Sequence, residues 1–297
     1  MKSRFRNIFL VFGIVAVVIM LFTFDVSYEE LLNNLKRAGI YLPLVLLLWL
    51  VIYAINALSW YIIVRSGGKV SSLTFSKLYK FTVSGFAINY VTPVGLMGGE
   101  PYRIMELKPY IGVERATSSV ILYVMMHIFS HFCFWLTSVL LYIFLYPVGW
   151  GMGIILGAIT IFCLLIALLF IKGYQHGMAV AFVRLGSRLP FLKKKVIHFA
   201  EVHREQLENI DQQIALLHRQ KKQTFYAALS LEYMARVVSC LEIWLILNVL
   251  TTHVSFADCC LIAAFSSLLA NLLFFLPMQL GGREGGFALA FGGLFLS

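Results

Sequence analysis

The chain has 297 residues, 60% of them hydrophobic and 13% charged, with a mean hydropathy of +0.86. Soluble domains carry about 25% charged residues, so a water-soluble globule is excluded: the charges are too few to cover an aqueous surface. The 24 Lys and Arg against 14 Asp and Glu give a net charge of +10. In a membrane chain this reads as a positive-inside bias and not as a nucleic-acid interface, because no aromatic–basic interleaving accompanies it.

In chain order, the first apolar run is Ile8–Phe24, preceded by Lys2, Arg4 and Arg6. No small-x-small cleavage site follows it, so it reads as a retained anchor. Asp25–Ala38 is short and amphipathic, with Leu31, Leu32 and Leu35 on one face, and is expected to lie at the interface. Tyr41–Val64, Val120–Tyr146, Val148–Ile171 and Thr224–Leu250 follow as further spans, with Ala257–Pro277 long enough to be a sixth. Between the fourth and fifth lies the one sizeable polar stretch, 172–222, read as a cytoplasmic amphipathic loop. The five cysteines all sit in apolar runs without ligand-like spacing, as small buried hydrophobes. Trp49, Trp60, Tyr61, Tyr142, Tyr146 and Trp150 fall at span ends and read as an interfacial belt.

Charge orients these spans. Summed over the termini and loops, 3+4+3+10 places 20 of the 24 basic residues on one side, the cytoplasmic one, together with the N-terminus. That accounting requires Phe81–Gly95 to dip into the membrane without crossing. The expected fold is an all-α polytopic membrane protein of about six to eight transmembrane or re-entrant helices. It reads as a single integral membrane domain over 1–297, with a first half 1–119 and a second half 120–297.

Two breaks in the apolar runs carry the most information. In 90–103 the chain reads YVTPVGLMGGEPYR, with Pro93, Gly98, Gly99, Glu100 and Arg103; in 275–286 it reads FLPMQLGGREGG, with Pro277, Gly281, Gly282, Arg283 and Glu284. In each, a Gly-Gly pair follows the Pro, and a Glu stands seven residues after it. Proline and glycine end a helix and turn the chain, and such backbone survives at membrane depth only inside protein or beside a cavity. Matching breaks in two halves point to an inverted repeat with a substrate site between two re-entrant segments. Asn89 and Asn271 precede the breaks and can hydrogen-bond the freed backbone.

These two elements resemble the signatures of the membrane region of the lysylphosphatidylglycerol synthase family. The basic loop before Thr224 and the amphipathic Asp25–Ala38 segment fit the same pattern. The second signature departs from it, reading GGREGG where Gly-Leu-Gly is usual, and the pattern leads one to expect a further span near Ser297. The resemblance implies a flippase-like role in envelope-lipid biology. The stretch it covers is the membrane part alone, so lysyl transfer is not carried over.

Ionisable residues at membrane depth complete the candidate site. Arg103, Arg283 and Arg236 offer guanidinium forks for a lipid phosphate, with Gly98, Gly99, Gly281 and Gly282 letting backbone approach it. Glu100, Glu284, Glu232 and Glu242 are candidates for a charge or proton role, or, for the first two, for helix caps. Glu232 and Arg236 stand at i,i+4 and can pair, whereas Glu242 has no local partner. His127 and His131 share that spacing without a nearby carboxylate, and read as polar packing. No metal or cofactor is expected. The expected partners are membrane lipids, with no nucleic acid; the oligomeric state stays open, a homodimer included. The function that follows is translocation of an anionic or aminoacylated phospholipid, or of a polyprenyl-phosphate lipid, between leaflets of the cell membrane. The alternatives are an integral-membrane transferase acting on a lipid-linked substrate and an accessory protein of envelope-lipid synthesis.

Overall fold

The computed structural model describes residues 28–68, 70, 72–91, 98–176, 212, 222–250 and 254–272. Among these, the chain forms helices α1 (Tyr28–Ala38), α2 (Tyr41–Ser66), α3 (Phe75–Val91), α4 (Gly99–Ile111), α5 (Val113–Leu145), α6 (Trp150–His176), α7 (Lys222–Leu250) and α8 (Phe256–Leu272). No strand occurs among the described residues. Three helices are long and apolar enough to cross a membrane: α2, α5 and the Trp150–Leu168 part of α6. The all-α, multi-pass class expected from composition is therefore what the chain adopts. The run Ile8–Phe24, the loop beyond His176, and the neighbourhoods of Pro93 and Pro277 lie outside the described residues.

Local signals set several helix ends. Thr74 accepts the Lys77 amide at 3.4 Å, so α3 begins at Phe75, ahead of the Phe81 at which the apolar run starts. Ser255 accepts the Asp258 amide at 3.1 Å and donates to that carboxylate at 2.7 Å, a reciprocal cap that starts α8. Gly112 has a φ of 81° and joins α4 to α5, a left-handed turn that lets a second helix begin one residue after the first. From there α5 runs 33 residues, about 50 Å, well past the hydrocarbon core. Hydropathy places its start at Val120; Val113–Ser119 carries charged and hydroxyl residues that lower the hydropathy without breaking the helix, so it begins seven residues earlier.

The described residues fall into two compact units. The first gathers the described parts of Met1–Ala54, Lys80–Tyr102 and Ala235–Ser297. Here Tyr53 of α2 stacks on Phe86 of α3 at 5.3 Å, and Leu247, Val254, Cys259 and Ile262 form a small core between α7 and α8. Leu32 and Leu35 of α1 are exposed.

The second unit gathers Ile55–Tyr79 and the described part of Arg103–Met234. Its buried residues include Ala57, Trp60 and Ile63 of α2, Val120, Tyr123 and Met126 of α5, and Ala228 of α7, with Trp60 set against the Tyr123 ring. Ser59 donates to the Ala228 carbonyl at 3.2 Å, tying α2 to α7. Buried serines of α5, Ser119, Ser130 and Ser138, return their hydroxyls to carbonyls of their own helix, so small side chains line the contact without stranding a donor. On α6, which packs against α5, Ile154, Ile155, Ile161 and Leu165 are more than half exposed. Such an apolar outer face fits a helix that meets lipid.

Candidate functional site

A run of polar and aromatic groups threads the second unit. On α5, Tyr123, His127, His131 and Trp135 recur every four residues and so share one helical face. Their ring centroids follow one another at 6.3, 5.8 and 5.6 Å. Trp60 of α2 lies against the Tyr123 ring at 5.7 Å, and the Arg103 guanidinium of α4 sits over that ring at 5.3 Å. Arg103 is 1% exposed. A guanidinium tolerates such a place because it is weakly hydrated and stacks on an aromatic face, worth up to about 2 kcal/mol when desolvated. The alternative open to the sequence, an arginine reaching out to the interface, does not apply.

Glu232 of α7 is also 1% exposed, and its Oε2 meets His127 Nδ1 at 2.8 Å. The sequence offered Arg236 as its partner; instead the carboxylate turns to a ring from a helix 105 residues away. It is also the carboxylate that the His127–His131 pair lacked in sequence. Oε1 of Glu232, Nε1 of Trp60 and Oδ1 of Asn56 are buried without a hydrogen-bond partner among the described residues. Nearly three helical turns further along α5 from His127, Tyr233 donates its phenol to Thr137 at 3.0 Å and fixes the register of α7 on α5.

The first unit holds a different arrangement around the first break. The Gly99 amide donates to Asn89 Oδ1 at 2.7 Å, and Asn89 Nδ2 donates to Glu100 Oε1 at 3.2 Å. One asparagine side chain thus satisfies the first free amide of α4 and holds a carboxylate in its first turn, where the helix dipole favours it. Gly99 lies so close to the Gly85 carbonyl that no Cβ fits between them. Gly98 is half-buried beside it. Glu242 accepts from Trp49 Nε1 at 3.1 Å, so the partner that sequence could not supply is an indole of α2. Arg236 is half-buried on α7.

Of the expected site residues, Gly99 and Glu100 are brought together, as are Arg103 and Glu232 with the α5 ladder between them. Pro93, Pro277, Gly281, Gly282, Arg283 and Glu284 lie outside the described residues. Two belt assignments are corrected: Trp60 is fully buried against Tyr123, and Trp49 serves Glu242, while Trp150, 94% exposed, remains at the surface. His127, Tyr123 and Trp60 were not marked as site residues. The four-residue spacing on α5 was visible, but nothing local tied it to Glu232.

The described helices define an all-α multi-pass membrane protein with ionisable groups sunk among its apolar spans. The chain belongs to the lysylphosphatidylglycerol synthase TM region family, whose model matches residues 8–295. Neither the curated proteins nor the solved structures hold a match. Membership gives the chain a membrane lipid-related role.

Proposed function

We propose that the protein moves a lipid with a phosphate-bearing headgroup between the leaflets of the cell membrane, with its N-terminus in the cytoplasm. The observation that carries this is the pair of charged side chains, Arg103 and Glu232, each 1% exposed within one unit of a lipid-embedded chain. A buried charge costs several kcal/mol unless it is partnered, and such residues persist in membranes where they meet a substrate or an ion. Arg103 supplies the phosphate ligand. Its planar fork matches two phosphate oxygens, and the Tyr123 ring lies 5.3 Å beneath the guanidinium. Trp60 and Tyr123 give the headgroup an aromatic wall, while the acyl chains stay in the bilayer alongside faces such as that of α6. Alternate opening of the bundle to each leaflet completes the cycle.

The test uses purified protein in liposomes carrying a fluorescent anionic phospholipid, with leaflet exchange followed by quenching from outside. Exchange is expected in the wild type, to fall at least about tenfold in Arg103→Gln, and to recover in part in Arg103→Lys, a point charge without the fork. Unchanged exchange in a folded Arg103→Gln overturns the assignment of phosphate binding to Arg103. A chemically altered lipid with no exchange favours the transferase reading.

A further inference from the structure

We infer that the His127–Glu232 pair is a proton-binding site, in which the imidazole passes a proton to a buried carboxylate. The geometry is that of a relay. Glu232 is closed off from solvent, whereas the His127 side chain is 28% exposed and touches Glu232 through Nδ1 at 2.8 Å. A proton taken up on Nε2, the ring nitrogen turned away from the Glu232 contact, allows the proton on Nδ1 to leave for Oε2. The carboxylate becomes a carboxylic acid, and the imidazole ends neutral in its other tautomer. Release reverses each step. One proton enters, no other bond changes, and the net charge of the pair rises by one.

Two features separate this from a structural hydrogen bond. A pair kept only for packing is expected to satisfy both carboxylate oxygens, yet Glu232 Oε1 is buried with no partner among the described residues. And a packing role needs no ionisable group, since an amide at either position makes the same contact without a buried charge. The surroundings complete the site. From α5 come Tyr123, tilted against His127, and His131, edge-on to it, and from α4 comes Arg103 over the Tyr123 ring. From α7, Tyr233 is held by Thr137, and from α2 come the uncharged Asn56, Ser59 and Trp60. With a fixed cation two contacts away and little water, one added charge weighs heavily on which arrangement of α5 and α7 is favoured. A proton coupled to lipid movement rests on the reading above; the proton site itself does not.

The experiment therefore has two arms. In the first, infrared difference spectra of the purified protein in lipid are taken between about pH 5 and about pH 8, the range in which imidazoles titrate. A carbonyl band of a protonated carboxyl is expected in the wild type, absent in Glu232→Gln and displaced in its pH response in His127→Gln. If the band is missing from the wild type, or persists in Glu232→Gln, the inference is overturned whatever the protein does to lipids. In the second arm, a pH gradient is imposed across the liposomes. Wild-type lipid exchange is expected to change about tenfold with the gradient's direction, and Glu232→Gln to lose that dependence. Exchange indifferent to the gradient removes the coupling but leaves lipid movement standing. A titrating Glu232 band without any exchange keeps the proton site and removes the transport reading. Melting of each variant alongside the wild type separates lost chemistry from lost fold.

Discussion

At Gly99 and Gly112 the same residue type is needed for different reasons. At Gly99 the constraint is space: a Cβ there would run into the Gly85 carbonyl and lie 2.8 Å from Asn89 Oδ1. Backbone cannot yield as a side-chain tip can, so Gly99→Ala is expected to destabilise by about 1–3 kcal/mol, read as a lower melting temperature in detergent. At Gly112 there is open space, and the constraint is the φ of 81°. Gly112→Ala is expected to lower stability by about 1–3 kcal/mol, the cost of a side chain at a positive φ with an extended ψ of 165°, without disturbing any neighbour. Trp49→Phe keeps the ring's bulk while removing the donor to Glu242, and leaves that carboxylate one partner short; a loss of about 1–3 kcal/mol is expected in the same melts. Sequence alone marked Asn89 as a residue able to serve the broken backbone, because an amide beside a Pro/Gly break has an obvious use. It could not give Trp49 to Glu242, since that contact joins positions 193 apart and follows no local spacing.

Among the elements, α2 and α5 are joined at their ends by one side chain. Arg115, in the first turn of α5, donates through Nη2 to the Val64 carbonyl at 2.8 Å and to the Gly68 carbonyl at 2.7 Å. It closes carbonyls that the end of α2 cannot satisfy within itself. Arg115→Ala is expected to cost about 1.5–3 kcal/mol, the range for hydrogen bonds to a charged group, and to speed amide exchange in the last turn of α2 more than in the middle of α5. The elements themselves were largely legible, since a run of apolar residues long enough to cross a bilayer has few other readings. Their ends were less so: Val113–Ser119 and the start of α3 are helical through capping and propensity, which a hydropathy profile does not weigh. The face formed by Tyr123, His127, His131 and Trp135 was equally open to sequence, but its meaning was not. Glu232 gives the face its chemistry, and it arrives from another helix.

For the molecule as a whole, composition and charge fixed the class, and the matching breaks pointed to a family that the comparison bears out. What stayed beyond sequence is the pairing of distant helices, on which every buried charge depends. The proposed orientation has a direct check. Ser72 and Gly149 are exposed, one before α3 and the other between α5 and α6, and a Cβ at Gly149 meets no neighbouring atom. Ser72→Cys and Gly149→Cys are expected to react with an impermeant maleimide from opposite sides of sealed vesicles, Ser72→Cys from the cytoplasmic side. Cys163, Cys240, Cys259 and Cys260 are buried and Cys133 is half-buried, so the wild type gives the labelling background.

The α5 ladder ends on an indole, and that gives the molecule a gauge of its own. Trp135 is buried 5.6 Å from the His131 ring, which stands 5.8 Å from His127. An imidazolium draws an electron from an excited indole far more readily than a neutral ring does, so light emitted by Trp135 dims while a proton rests on the ladder's rings and recovers once it passes to Glu232. Fluorescence recorded during a working cycle, with Trp135→Phe as the blank, thus reports from inside the bundle with no dye attached.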